Sequence, residues 1–190
     1  MIYIETKRSD HMKIFLASVM TLIILASCAT TRKEPFQETE EYVDIERFTG
    51  DWYVIALLPT AFEKDATNGI ENYSLTEEGN IRVQYTFRKD SPQGKEKIMT
   101  QKGWIYNKES NADWRVRPLW PLKLPYYILE IDEDYQYTVI GTNNFKYLWI
   151  MSRNPKMDEQ LIQQISSRMT DRGYDMSEIQ YMEQSWGSNQ

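Results

Sequence analysis

The chain has 190 residues, enough for one domain with a substantial hydrophobic core. Its formal net charge of −6 argues against a nucleic-acid partner, because neutralising phosphates requires clustered lysine and arginine. The 13 tyrosines and 6 tryptophans favour strands and apolar cavities over a helical bundle. A single cysteine cannot close an internal disulfide, so the fold does not depend on disulfide pairing.

Residues 1–27 are predicted to be a signal peptide. Lys13 precedes a mostly apolar run, residues 14–26, which is shorter than a membrane span and typical of a signal-peptide core. The run ends in Leu25-Ala26-Ser27-Cys28, which resembles the lipobox of bacterial lipoproteins. In that family the signal is cut before the cysteine, which carries a diacylglyceryl thioether. The resemblance makes Cys28 the expected lipid-attachment site; a plain signal peptide beside an unrelated cysteine is the alternative.

Residues 28–41 are predicted to be the lipidated cysteine and a polar, flexible tether. Several acyl chains, each burying methylenes at roughly 0.8 kcal/mol apiece, make a durable membrane anchor. Ala29 follows the cysteine where an aspartate would change the sorting of a bacterial lipoprotein. The resemblance therefore predicts a lipid-anchored protein of the bacterial outer membrane, on a face that the sequence leaves open.

Residues 42–190 are predicted to form one domain of short strands separated by turns. The alternation is strictest at 81–88, where positions 81, 83, 85 and 87 are apolar or aromatic. Turn residues at 77–80 and 141–144 favour hairpin connections, and such a meander suggests an up-and-down barrel. Eight segments are predicted strands: 52–58, 70–75, 81–88, 97–106, 114–117, 126–131, 135–140 and 147–152.

A helix is predicted after Pro155, because apolar residues at 161, 162, 165 and 169 fall on one face. Acidic residues at 158 and 159 and arginines at 168 and 172 complement the helix dipole, and Gly173 is a natural stop. We expect this helix to pack on the barrel wall, with partner binding as the alternative. A short last strand is predicted over 179–183.

Three motifs in order resemble those of the lipocalin family. Gly50-Asp51-Trp52-Tyr53 matches the G-x-W-Y signature, and residues 132–137 and 147–153 resemble the second and third motifs. Residues 44–181 resemble the bacterial outer-membrane lipocalin group, which is itself similar to apolipoprotein D and to plant temperature-induced lipocalins. The resemblance implies an all-β fold: an eight-stranded antiparallel up-and-down barrel with a C-terminal α-helix outside and a cavity open at one end.

The resemblance implies structural roles for the signature residues Gly50, Trp52, Tyr53 and Arg153. In the family the tryptophan plugs the closed end of the barrel and the arginine of the third motif packs across it. A guanidinium over an indole ring contributes roughly 0.5–2 kcal/mol. Anion binding by Arg153 is the alternative role.

The function that the resemblance implies is binding, storage or transport of a small hydrophobic ligand, a fatty acid or a lysophospholipid, in the cell envelope. Each methylene removed from water contributes about 0.8 kcal/mol, so no catalytic group, cofactor or metal is needed. For each candidate wall residue the alternative is that it faces the outside or fills a closed core, because a one-residue error in phase would turn the whole strand over. For Glu130 the alternative is a surface position at the end of the strand, since burying an unpaired carboxylate is costly. The candidate cavity-wall residues are Phe62, Tyr85, Phe87, Trp120, Leu122, Tyr126, Ile128 and Glu130.

Two other functions are weighed against this one. An enzyme is disfavoured because the only histidine, His11, precedes the signal core and Cys28 is assigned to lipid. Carboxylate chemistry stays open, although no paired carboxylates stand out in the expected cavity. The main alternative is an envelope interaction protein whose barrel is filled and whose outer surface binds a partner. A homodimer is compatible with either function.

Overall fold

The computed structural model describes residues 37–186. Cys28, the expected signal peptide and residues 28–36 of the expected tether lie outside the described residues, and those assignments stay predictions. The elements in chain order are α1 (Ile45–Phe48), β1 (Gly50–Leu58), β2 (Ala66–Leu75), β3 (Ile81–Lys89), β4 (Glu96–Ile105), β5 (Asp113–Arg117), β6 (Leu124–Ile131), β7 (Tyr137–Gly141), β8 (Leu148–Ser152), α2 (Glu159–Asp171), a 3-10 helix (Met176–Glu178) and β9 (Gln180–Tyr181).

Strands β1 to β8 form a closed antiparallel barrel. Each strand pairs with the next along the chain, and β8 returns to pair with β1. Closure leaves neither β1 nor β8 as an exposed edge, which protects the sheet from pairing with other chains. The short strand β9 adds to β1 at Ala56 and Leu57. The predicted eight-stranded up-and-down barrel is confirmed.

Helix α2 packs on the outside of the barrel, as predicted. Asp158 caps its first turn by accepting a hydrogen bond from the Leu161 amide at 3.0 Å. Ile162, Ile165 and Met169 are buried in an outer cluster with strand residues such as Ile150. The helix ends before Gly173, whose φ of +104° suits a residue without a Cβ. Among residues 37–186, no helix has both the length and the apolar character needed to span a membrane.

Irregular backbone explains where the strand boundaries differ from the prediction. Strand β2 begins at Ala66, four residues before the predicted start at position 70. The sequence Thr67-Asn68-Gly69 resembles a turn, yet the strand continues through it as a bulge in which Asn68 has a φ of 49°. Strand β7 begins at Tyr137 rather than at position 135, because Tyr135 has a φ of 58° and lies in the preceding turn.

Candidate functional site

The closed end of the barrel is built around Trp52 and Arg153. The Trp52 side chain is fully buried and donates from Nε1 to the Phe48 carbonyl at 2.8 Å. The Arg153 guanidinium lies 3.7 Å from the centre of the Trp52 ring. Its Nη atoms donate to the carbonyls of Arg47, Asp51 and Thr49 at 2.7, 2.8 and 3.0 Å. These contacts occupy the guanidinium with backbone acceptors and tie α1 to the barrel.

The other two signature residues lie at the same end. Gly50 has a φ of +96°, and a Cβ built on it would approach Arg153 Nη1 to 3.3 Å. A larger residue would therefore strain the backbone and press on the guanidinium. The half-buried Tyr53 ring packs in the outer cluster and lies 5.9 Å edge-on from Trp186.

Aromatic side chains fill the closed half of the barrel. Phe48, Trp52, Tyr73, Trp114 and Tyr126 form a chain of ring contacts with centroid distances of 5.1 to 6.0 Å. Such contacts add to the burial energy of the rings and leave little space between them. The room for a ligand is therefore confined to the half of the barrel that faces away from Arg153.

A cavity of about 260 Å³ occupies this open half. Its mouth is formed by the loops that join β1 to β2, β5 to β6 and β7 to β8, which contribute residues such as Phe62, Pro118 and Tyr147. The strands contribute apolar walls from Met99, Val116 and Trp149 together with polar residues. The cavity thus has the concave, largely apolar form of a small-molecule site with a few convergent polar groups.

The floor of the cavity is formed by Glu71 and Tyr126, which belong to a buried polar cluster with Tyr73. The Tyr126 hydroxyl donates to Glu71 Oε2 at 2.9 Å, and the Tyr73 hydroxyl donates to the same oxygen. Burial raises the pKa of Glu71 to about 7; the two tyrosine hydrogen bonds oppose this rise and the nearby carboxyl of Glu63 adds to it. The cluster therefore places a carboxyl group that titrates near neutral pH beneath the ligand space.

A second carboxylate, Glu63, fastens the mouth loop between β1 and β2. Its Oε1 accepts from Trp149 Nε1 at 2.7 Å, and its Oε2 accepts from the Thr60 amide and hydroxyl at 2.9 and 2.6 Å. Both oxygens are therefore hydrogen-bonded, as expected for a carboxylate that is 7% exposed. Glu63 joins the loop to β8 across the rim of the cavity.

The candidate wall residues fall into three groups. Tyr85 and Tyr126 line the cavity, and Phe62 lines it at the mouth although 69% of its surface is exposed. Phe87 and Ile128 lie in the inner core but are not among the lining residues; Phe87 instead stacks on Tyr85 at 4.8 Å. The remaining candidates lie outside the cavity: Trp120, Leu122 and Glu130.

Trp120 and Leu122 are exposed in the loop between β5 and β6, at 75% and 52%. The assignment of Glu130 to the cavity wall is wrong, and its surface alternative holds. Arg168 of α2 donates to Glu130 at 2.7 and 3.0 Å on the outside of the barrel. A bulge between Ile128 and Glu130 inserts one extra residue into β6, so that Ile131 packs against the inner core instead.

Sequence reasoning missed the two carboxylates of the cavity. Glu63 and Glu71 both line it, so the expectation that no paired carboxylates would stand out there is wrong. Glu71 could have been found, because it lies two residues before Tyr73 in a predicted strand and so shares its face. Glu63 lies in a loop, where no periodicity reports facing. Among the described residues, no three acidic, histidine or cysteine side chains are grouped so as to hold a metal ion.

The fold and the cavity define a β-barrel that binds small molecules. Residues 43–184 match the family described as a lipocalin-like domain, and the chain belongs to the lipocalin family. Proteins of this family typically bind small hydrophobic ligands and are carriers rather than enzymes. The family assignment made from the three motifs is confirmed.

Named relatives come from several kingdoms. The chain is 30% identical to temperature-induced lipocalin-1 of Arabidopsis thaliana over 82% of this chain and 86% of the relative. It is 31% identical to mouse apolipoprotein D, with coverage of 85% and 92%. It is 24% identical to the outer membrane lipoprotein Blc of Citrobacter freundii, with coverage of 88% and 94%. The solved structure of insecticyanin from Manduca sexta, 15% identical, shares the fold with a TM-score of 0.61 over 81% of this chain and 86% of insecticyanin.

Proposed function

We propose that this protein is a lipid-anchored lipocalin that binds, stores or transports a fatty acid or a lysophospholipid in the bacterial cell envelope. The observation that carries the proposal is the cavity of about 260 Å³, which opens at one end of the barrel between apolar walls. Acyl chains bind in such a space because it removes them from water, without any catalytic group.

The size of the cavity favours a ligand that is only partly enclosed. Its volume lies just below the range of roughly 300–1,000 Å³ that is usual for pockets holding drug-sized ligands. Exposed apolar side chains stand on the mouth loops, Phe62 on one and Trp120 and Leu122 on another. They are suited to cover the part of an acyl chain that extends beyond the cavity.

Two features support the envelope location. The lipobox resemblance at residues 25–28 predicts an acylated Cys28, and two bacterial relatives, from Citrobacter freundii and Vibrio cholerae, carry the name outer membrane lipoprotein. A membrane anchor would keep the cavity close to the lipids that it binds. Labelling with radioactive palmitate tests this assignment, since Cys28→Ala should abolish incorporation.

Ligand binding is tested with residues 29–190, stripped of lipid and titrated with a lysophospholipid and a long-chain fatty acid. Tryptophan fluorescence should saturate near one ligand per barrel, or per dimer, because Trp149 lines the cavity. Size-exclusion chromatography with light scattering decides between the two stoichiometries. Trp149→Phe should remove most of the signal, whereas Trp104→Phe on the outer face of β4 should retain it.

A second function, partner binding on the outer surface, is favoured by the aromatic filling of the closed half of the barrel. A barrel that is partly filled has less use as a lipid store. If the folded domain binds neither lipid class, the partner-binding function becomes the better proposal.

A further inference from the structure

We propose that the cavity selects ligands whose buried end carries a hydroxyl group, held between Glu71 and Tyr85, and that it disfavours a buried carboxylate. This inference rests on the proposed lipid-binding function and specifies which end of the lipid enters and with what chemistry.

Glu71 and Tyr85 form a cross-strand pair on the cavity wall. They lie directly opposite each other in the β2–β3 register, and both line the cavity. Directly opposite residues of an antiparallel pair have Cβ atoms roughly 4.5–5.5 Å apart and point to the same side of the sheet. The two side chains therefore lie next to each other on the same side of the sheet, where both residues contribute to the cavity wall.

The Tyr85 hydroxyl is a buried group without a hydrogen-bond partner among the described residues. Its side chain is only 3% exposed, and it reaches over Gly69, where a Cβ would lie 3.0 Å from the hydroxyl oxygen. Buried polar groups are nearly always satisfied, so this hydroxyl is the group in the cavity that most needs a ligand. Burial raises the pKa of Tyr85, which keeps the phenol protonated and able to donate.

Glu71 has acceptor capacity to spare, unlike Glu63. The Tyr73 and Tyr126 hydroxyls both donate to Glu71 Oε2, whereas a carboxylate offers about four acceptor positions over its two oxygens. Glu63 accepts on both of its oxygens from Thr60 and Trp149. A ligand hydroxyl can accept a hydrogen bond from the Tyr85 hydroxyl and donate one to the Glu71 carboxylate. One hydroxyl group therefore satisfies both side chains.

A ligand carboxylate at the buried end would be repelled by the carboxyl groups that line the cavity. Among the described residues that line the cavity there is no lysine, arginine or histidine, and the ionisable carboxyls there are Glu63 and Glu71. Two like charges in a water-poor site repel each other strongly, so a fatty acid would have to keep its head at the mouth or enter protonated. A hydroxyl carries no charge and suits Glu71 in either protonation state.

The pH dependence of the two ligand types should therefore differ. The groups that face Glu71 are Tyr73 on its own strand, Tyr85 on β3, Tyr126 on β6 and Glu63 from the mouth loop. The described part of the chain brings no cation to this group. At pH 5.5 a proton shared between the carboxyl groups removes the repulsion, so palmitate should bind more tightly at pH 5.5 than at pH 8. The binding of hexadecanol should change little between these pH values.

The test uses the full chain, extracted, delipidated and held in amphipol, with matched sixteen-carbon probes. The protein is incubated at pH 8 with equimolar hexadecanol, palmitate and methyl hexadecyl ether, and the retained probes are quantified by mass spectrometry. We expect the retained amount of hexadecanol to be about ten times that of palmitate. It should be about five times that of the ether, which cannot donate a hydrogen bond to Glu71. Glu71→Gln should raise palmitate retention, because a neutral amide can donate to it, and should narrow the first ratio to less than threefold.

Tyr85→Phe is the second variant, since it removes only the hydroxyl. It should lower the retention of hexadecanol and of the ether about fivefold, because both oxygens accept from Tyr85, and it should leave palmitate retention unchanged. Glu130→Gln, on the outer surface, is the matched control and should reproduce the ratios of the unmodified protein. Near-ultraviolet circular dichroism establishes that each variant is folded.

Equal retention of all three probes, or ratios that neither variant alters, overturns the inference while leaving lipid binding intact. Retention of no probe by the folded protein overturns both the inference and the proposed function. The inference is supported only if hexadecanol is retained more than the ether and the ether more than palmitate, and if the preference for hexadecanol over palmitate is reduced in both Glu71→Gln and Tyr85→Phe.

Discussion

The buried carboxyl of Glu71 should make the stability of the barrel depend on pH between about 4.5 and 7. Its pKa rises from an ordinary value of 4.5 to about 7 on folding. Between these values the folded protein holds a proton that the unfolded chain has released. The free energy of unfolding therefore falls as the pH rises through this window, is highest below it and is constant above it.

The size of the effect follows from the two pKa values. One pKa unit corresponds to about 1.4 kcal/mol, so a rise from 4.5 to about 7 predicts a loss of roughly 3 kcal/mol between pH 4.5 and pH 8. Other groups add little in the upper part of this window, because the only histidine is His11, outside the described domain. Glu71→Gln keeps the size of the side chain and removes its titration.

Urea unfolding at pH 5, 6, 7 and 8, followed by tryptophan fluorescence, measures this dependence on lipid-free protein. The unmodified protein should lose stability steadily from pH 5 to pH 7, and Glu71→Gln should be nearly flat from pH 6 to pH 8. Glu130→Gln should keep the slope of the unmodified protein, since its carboxyl pairs with Arg168 on the outer surface. Equal slopes for Glu71→Gln and the unmodified protein would refute the assignment of the titration to Glu71.

Three further predictions follow from the closed end, the mouth and the N-terminus. Arg153→Lys keeps the charge but loses the planar guanidinium that stacks on Trp52 and bonds to the backbone carbonyls. The free energy of unfolding should therefore fall by about 3 kcal/mol and the melting temperature by roughly 6–12 °C. A decrease in melting temperature of less than about 2 °C would contradict this role. Glu63→Gln weakens the bonds from Thr60 and Trp149, so limited proteolysis should cut residues 59–65 faster, and an unchanged rate would count against the fastening role. Cys28→Ala should move the protein from the membrane fraction to the soluble fraction, and its retention in membranes would argue against acylation at that residue.

Regular periodicity made part of the fold predictable. In β3 the side chains at 81, 83, 85 and 87 all face the inner core, because period-two alternation holds wherever a strand pairs without interruption. Helix α2 was predictable for the same reason at helical spacing, with a capping Asp158 and a terminating Gly173 as independent markers. These elements are determined by local periodicity and capping residues, both of which can be recognised in the sequence.

The bulges could not be predicted, and they decide which residues face the cavity. In β6 the side chains of Tyr126 and Ile128 face inward, and the same alternation would have brought Glu130 inward. The extra residue reverses the phase, so Glu130 reaches Arg168 and Ile131 turns toward the core. Nothing local in the sequence of β6 marks this bulge, because it arises from the register with β7 and from the gain in pairing a carboxylate outside rather than burying it.

Two signature residues of the family motifs, Trp52 and Arg153, lie at the end of the barrel opposite to the cavity. Trp52 and Arg153 close one end, and their contacts are complete without any bound molecule. The groups that would discriminate between ligands, Glu71 and Tyr85, come from strands that the three motifs do not include. The motifs therefore predict the barrel and its general use, whereas the polarity of the cavity floor depends on residues outside them. For that reason the motifs lead only to the expectation of a small hydrophobic ligand, whereas the inferred preference for a hydroxyl group rests on Glu71 and Tyr85.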